Sequence, residues 1–480
     1  METTVTAKKT TLKGGYLFFV AYLIFTLGFY ALYNVNSLNV YYVSYYARSN
    51  PDDGITIKSV YFTNAILGFA NAIGVSVSGL LEQKTGIRIT LVVATCLGLI
   101  TSIILLFFTN VPLYLLACFI VGLGEGLCMI NSKYLCMFFP GQEGFVTAFT
   151  KPFFAAFTSG WFILGEAVVN PEATQLKDET DFYDVGVSNN VPILSWMMIV
   201  SLIFGTILFM VITMRINFEN VKKESKEIAD REKAKNEIET DVPTGQLEAK
   251  EIYMHNLSLI FHSAIYWKFF FLSVLLTFEP MLIQISYRVL CDNHHIDLNT
   301  IKINYNVSGI LGAFSSIAIG KINDKYGMKW IIVSVGIAFC CSGVFYIFTL
   351  SYSSGLFFCF AIYLSNVFVV LIQAILFPNL VKIFGVKYIT EIYGPLVIVM
   401  TAVSFLLSFI FFIFESIKKD DLPYFILIGI GSFLAFASLF ISLTIDVKAF
   451  DFGNKKEDNE QNVELDSNEK LLPETNEDTK

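Results

Sequence analysis

Residues 79–88 read GLLEQKTGIR and residues 320–329 read GKINDKYGMK. Gly79, Lys84, Gly86 and Arg88 of the first stretch fall in register with Gly320, Lys325, Gly327 and Lys329 of the second, each 241 positions further on. Each stretch follows one long apolar run and precedes another. Pro152 and Pro395 recur at nearly the same offset. Glycine permits the tight turn such a connection needs, and the flanking cations suit a loop on one defined side of a membrane. A chain that repeats itself at half its length builds two like bundles.

The composition agrees. Hydrophobic residues make up 55% and charged residues 15%, against about 25% charged in soluble domains. A bilayer-crossing helix needs about 20 apolar residues. Twelve runs meet that length: 15–38, 59–81, 88–108, 112–135, 145–169, 192–214, 267–290, 302–320, 330–350, 355–380, 392–414 and 423–446. Barrel strands are about half as long and alternate, so the spans are helical. The expected fold is an all-α membrane protein of twelve transmembrane helices in two pseudo-symmetric six-helix bundles. The chain divides into a terminus (1–14), a first bundle (15–214), a central loop with an interfacial segment (215–266), a second bundle (267–446) and an acidic tail expected to be disordered (447–480).

Cations set the orientation. Lys8, Lys9 and Lys13 precede span 1, Lys84 and Arg88 follow span 2, and Lys321, Lys325 and Lys329 follow span 8. Loops of the other parity are poorer in Lys and Arg, which puts both termini and the central loop in the cytoplasm. The membrane is the plasma membrane or an internal one, vacuolar or lysosomal. The basic residues sit in short loops or among acids, which argues against nucleic-acid binding. The eight cysteines form no CxxC pair, and no nucleophile, metal-ligand or phosphate-cradle pattern is present, so neither an enzyme nor a cofactor or metal is expected.

The paired loops resemble the loop motif of the major facilitator superfamily, Gly-x-x-x-Asp-Arg-x-Gly-x-basic. Asp324 stands at the acid position of the second copy; in the first, Gln83 stands there with Glu82 beside it. The exit of span 4, GLGEGLCMINSKYLCMFFPGQEG, resembles that superfamily too. The stretches YYVSYYAR (41–48), FFPGQEG (138–144) and FHSAIYWKFF (261–270) resemble its monocarboxylate and oxalate/formate antiporter branch. The resemblance implies a monomeric transporter that moves a small molecule by alternating access, with loop charges latching one face. It also implies that spans 1, 4, 7 and 10 line the cavity. Spans 8 and 11 lack the mid-span cations that meet carboxylates in oxalate/formate members, since Lys302, Lys321 and Lys387 lie at or beyond span ends.

Ionisable groups inside a bilayer cost about 2.5–3.5 kcal/mol each and call for a function. Glu125 in span 4 and Glu279 in span 7 lie near mid-depth. They are the candidates for contacting substrate or carrying a coupling proton, because a carboxylate that alternates between dry and wet surroundings can take up and release one. The glycines around Glu125 equally suit helix packing. Tyr30, Asn34, Gln284, Arg288, Asn366 and Gln373 are candidate cavity-lining residues on spans 1, 7 and 10. The line through Asn64, Asn71 and Ser78 in span 2 reads as packing. Lys133 and Lys151, toward the cytoplasmic ends of spans 4 and 5, read as snorkelling to the headgroups. The expected function is a secondary active transporter of a small polar solute, with the proton as coupling ion. A monocarboxylate-type anion exchanger or facilitator and a non-transporting receptor are the alternatives.

Overall fold

The computed structural model describes residues 11–51, 62–172, 182–183, 185–236, 249–417 and 422–444. Lys8, Lys9 and the tail 447–480 lie outside the described residues, as do the side chains of Asn34, Asn64, Arg288 and Lys302. The helices in chain order are α1 Gly15–Ser37, α2 Asn39–Ser49, α3 Thr63–Phe107, α4 Val111–Cys128, α5 Ile130–Phe138, α6 Glu143–Val169, α7 Val185–Ser188, α8 Val191–Thr213, α9 Phe218–Asn236, α10 Ala249–His262, α11 Ala264–Asn293, α12 Leu298–Tyr326, α13 Lys329–Tyr352, α14 Gly355–Phe384, α15 Ile389–Ile417 and α16 Leu422–Leu443.

Ten helices among the described residues are long and apolar enough to cross a membrane. The sequence reading expected twelve, and two local features account for the difference. Spans 2 and 3 form a single helix, α3, interrupted at Gly86, whose backbone is left-handed (φ 79°, ψ 164°). An L side chain is strained there, so glycine alone makes the break cheap. The other is α12, 29 residues long, whose Asn, Ser and Lys content keeps it below the apolarity of its neighbours.

Helices α1 to α8 pack on one another, as do α11 to α16. One hydrophobic core draws on residues from Leu12 to Val221, and two others lie almost wholly between Ile260 and Ala435. Small residues let the helices close in: a methyl on Gly126 would stand 2.6 Å from the Val75 backbone nitrogen of α3. The first and second groups meet along two seams, α3 with α15 and α6 with α12.

Candidate functional site

The α3–α15 seam runs along the first half of α3, from Phe62 to Gln83. Ser76 packs on Gly394, Thr401 on Gly68, and the rings of Phe62 and Phe405 lie 5.8 Å apart. The α6–α12 seam closes at one end only. A methyl on Gly320 would stand 2.7 Å from Ala148 Cβ, and Ser316 Oγ donates to the Ala148 carbonyl at 3.0 Å. Further along, a methyl on Gly160 or Gly309 would meet nothing within 4 Å. The α6–α12 contacts lie toward the end carrying Gly327, here the gate face, while the α3–α15 contacts reach from Gly79–Thr390 near that face to Phe62–Phe405 at the far end.

Asp324 bridges the two groups there. Its Oδ1 accepts from the Gly144 backbone N–H at 3.0 Å and its Oδ2 from Phe145 at 2.7 Å. These are unpaired donors at the first turn of α6, where the helix dipole favours an anion. Lys382 Nζ at the end of α14 reaches Oδ1 at 2.6 Å. Glu143, beside this contact, accepts from Gly141 N–H at 2.8 Å. The first copy of the motif works differently. Gln83, in the Asp324 register, donates to Glu391 of α15 at 3.4 Å, and Gly79 packs directly on Thr390. Here the facing helix supplies the acid.

Glu82 is not an out-of-register remnant of the latch. It is 1% exposed and binds Lys222 at 2.7 Å, Lys133 at 3.1 Å and the Tyr134 hydroxyl at 2.7 Å. Lys133 is therefore no snorkelling residue: it is buried and paired. Arg88 holds the end of α8, donating to the carbonyls of Thr213 and, at 3.0 Å, Ile216, and it lies over the Phe218 ring at 5.2 Å. Through Arg88, Lys222 and Phe218, the start of α9 is fastened to the gate face. Lys84 and Lys325 are exposed and Lys329 is half-buried; Gly327 repeats the positive φ of Gly86, at 80°.

Midway along the run Val111–Phe138, Glu125 of α4 has one oxygen without a hydrogen-bond partner among the described residues. The Asn71 amide of α3 reaches the carboxylate, and Lys151 of α6 is close enough to act on it electrostatically. The sequence reading put Asn71 in a packing line and sent Lys151 to the headgroups; both instead converge on Glu125. Tyr30 stacks on Phe154, ring centroids 5.4 Å apart.

The second group contributes less to this region than expected. Glu279 does not face α4. It is fully buried, within reach of Ser342 on α13 and packed under Gly431 of α16. Asn366 donates to Ser308 Oγ at 3.0 Å and to the Tyr305 carbonyl at 3.4 Å, which makes it a packing residue between α14 and α12 rather than a cavity wall. Gln284 is half-buried and Gln373 exposed. Asn34 and Arg288 occupy α1 and α11.

Two helical groups, two seams and ten helices long and apolar enough to cross a membrane among the described residues make a polytopic helical architecture. Residues 188–395 match the family model of the Major Facilitator Superfamily. The fold is similar to that of the proton:xylose symporter XylE bound to 6-bromo-6-deoxy-D-glucose, with a TM-score of 0.60 at 14% identity over 89% of this chain and 94% of that one. It is also similar to a bacterial homologue of the iron transporter ferroportin in an outward-facing state with soaked iron, with a TM-score of 0.59 at 12% identity over 90% and 99%. No curated protein matches the sequence.

Proposed function

We propose that the protein is a secondary transporter that moves a small polar solute by alternating access between two six-helix halves. The observation that carries this reading is the α6–α12 seam, closed at Gly144–Ala148 against Ser316–Asp324, with open space at Gly160 of α6 and Gly309 of α12. A seam closed at one end gives a solute one route in, and rocking of the halves that breaks the latch gives the other. Counting α3 as two spans at Gly86 and α12 as the eighth yields twelve, with both termini and residues 215–261 cytoplasmic by the cation bias. Protease added to sealed right-side-out vesicles should leave tags at both ends intact; cleavage of either tag reverses the orientation.

Glu125, Lys151 and Asn71 form the recognition site. In the first reading, Glu125 carries a coupling proton. A second reading is favoured by Lys151, a cation acting on that same carboxylate: protonated Glu125 frees Lys151 for a solute carboxylate, as in monocarboxylate-type exchange. The test is uptake and exchange of a panel of labelled solutes in proteoliposomes, with and without a pH gradient. Glu125→Gln should abolish gradient-driven accumulation while exchange persists. Lys151→Met should abolish uptake of anions alone if the second reading holds. No saturable flux for any solute would favour a receptor.

A further inference from the structure

Glu279 is 0% exposed, and neither of its oxygens has a hydrogen-bond partner among the described residues. The Ser342 hydroxyl lies within reach but donates to the Ala361 carbonyl of α14 at 2.9 Å. On α16, a methyl on Gly431 would stand 3.3 Å from Glu279 Cβ. The neighbouring Ser432 hydroxyl faces Gly343 and is also without a partner among the described residues. The Ser432 carbonyl accepts the Cys340 thiol at 3.7 Å, and Cys340 lies in the field of Glu279. Pro280 lacks an N–H, so the carbonyl of buried Leu276, one turn before Glu279, has no i→i−4 helical donor. No Lys, Arg or His among the described residues acts on the carboxylate.

A lone buried carboxylate is costly unless something neutralises it. A proton joins one oxygen and leaves the Ser432 hydroxyl and the Leu276 carbonyl as they were. A cation draws on all of them at once, because carboxylate, hydroxyl and carbonyl oxygens suit a hard ion, and one negative charge matches one positive charge. Carbonyls freed where transporter helices are interrupted serve this purpose for Na⁺. We propose that Glu279, Ser342, Ser432 and the Leu276 carbonyl form a binding site for a dehydrated monovalent cation of sodium size, enclosed between α11, α13 and α16 and separate from the Glu125–Lys151 site. Its role in coupling rests on the transporter reading; binding itself does not. With solute in one half and ion in the other, coupling passes through the movement of the halves.

The test is binding of radiolabelled Na⁺ to the purified full-length protein in detergent, with thermal unfolding followed in NaCl against choline chloride at fixed ionic strength. Saturable Na⁺ binding and a Na⁺-dependent rise in Tm are expected. Glu279→Gln should abolish both, Ser432→Ala should weaken Na⁺ affinity about tenfold, and Glu125→Gln should leave it unchanged. Absence of Na⁺ binding by the wild type, wild-type binding by Glu279→Gln, or loss of binding in Glu125→Gln overturns the site. A Tm that follows pH but not Na⁺ overturns it in favour of a proton. Intact Na⁺ binding without any solute flux would sink the transport reading alone.

Discussion

Glu82→Gln should destabilise the protein by about 3–5 kcal/mol, the range for removing one partner of a buried ion pair. The glutamine keeps the shape and one acceptor for Tyr134, so the loss is electrostatic. Lys133, 5% exposed, is left without a counter-charge, while Lys222 is 31% exposed at its side chain and can turn to water. Denaturant or thermal unfolding in detergent measures the loss. The double variant Glu82→Gln/Lys133→Met should recover most of it, because the uncompensated charge goes too. A single variant as stable as wild type would show that Glu82 is not what holds α3, α5 and the start of α9 together.

The second large effect concerns the gate balance. Asp324→Asn removes the charge from two hydrogen bonds to the first turn of α6 and from the contact with Lys382. Hydrogen bonds to charged groups contribute about 1.5–3 kcal/mol each. Losing about 2 kcal/mol of latch energy shifts the open-to-closed ratio roughly thirtyfold. Ser316→Cys reports it: Ser316 is buried in the closed seam, and its alkylation from the gate face should speed up by about that factor in the Asp324→Asn background. Glu391→Gln, whose facing partner Gln83 stands at 3.4 Å, should shift it far less. Equal alkylation rates with and without Asp324 would remove the latch.

The helices and the two like loops were legible because apolar spans and loop glycines are local properties. Gly86 and Gly327 are visible in the sequence as the glycines of two like loops, and Asp324 as the acid between them. The partners were not legible, because they depend on which face of a helix meets which neighbour. Glu82 reads as a misplaced acid until Lys222, far along the chain, is seen to fold back onto it. Lys151 reads as a snorkelling residue because its position near a span end says nothing of Glu125 across the helix interface. Glu279 fails in the opposite sense. The face it presents points it toward α13 and α16 rather than toward α4.

Alternating access requires the gate seam to open in every cycle, and covalent closure of that seam is the direct test. In a cysteine-depleted background, Ala148→Cys and Ser316→Cys place a pair of thiols across the seam where Ser316 Oγ now meets the Ala148 carbonyl. A short, reducible bifunctional crosslinker should join them, and solute counterflow in proteoliposomes should stop on crosslinking and return on reduction. Counterflow that continues at an undiminished rate with the pair fully crosslinked would contradict the account.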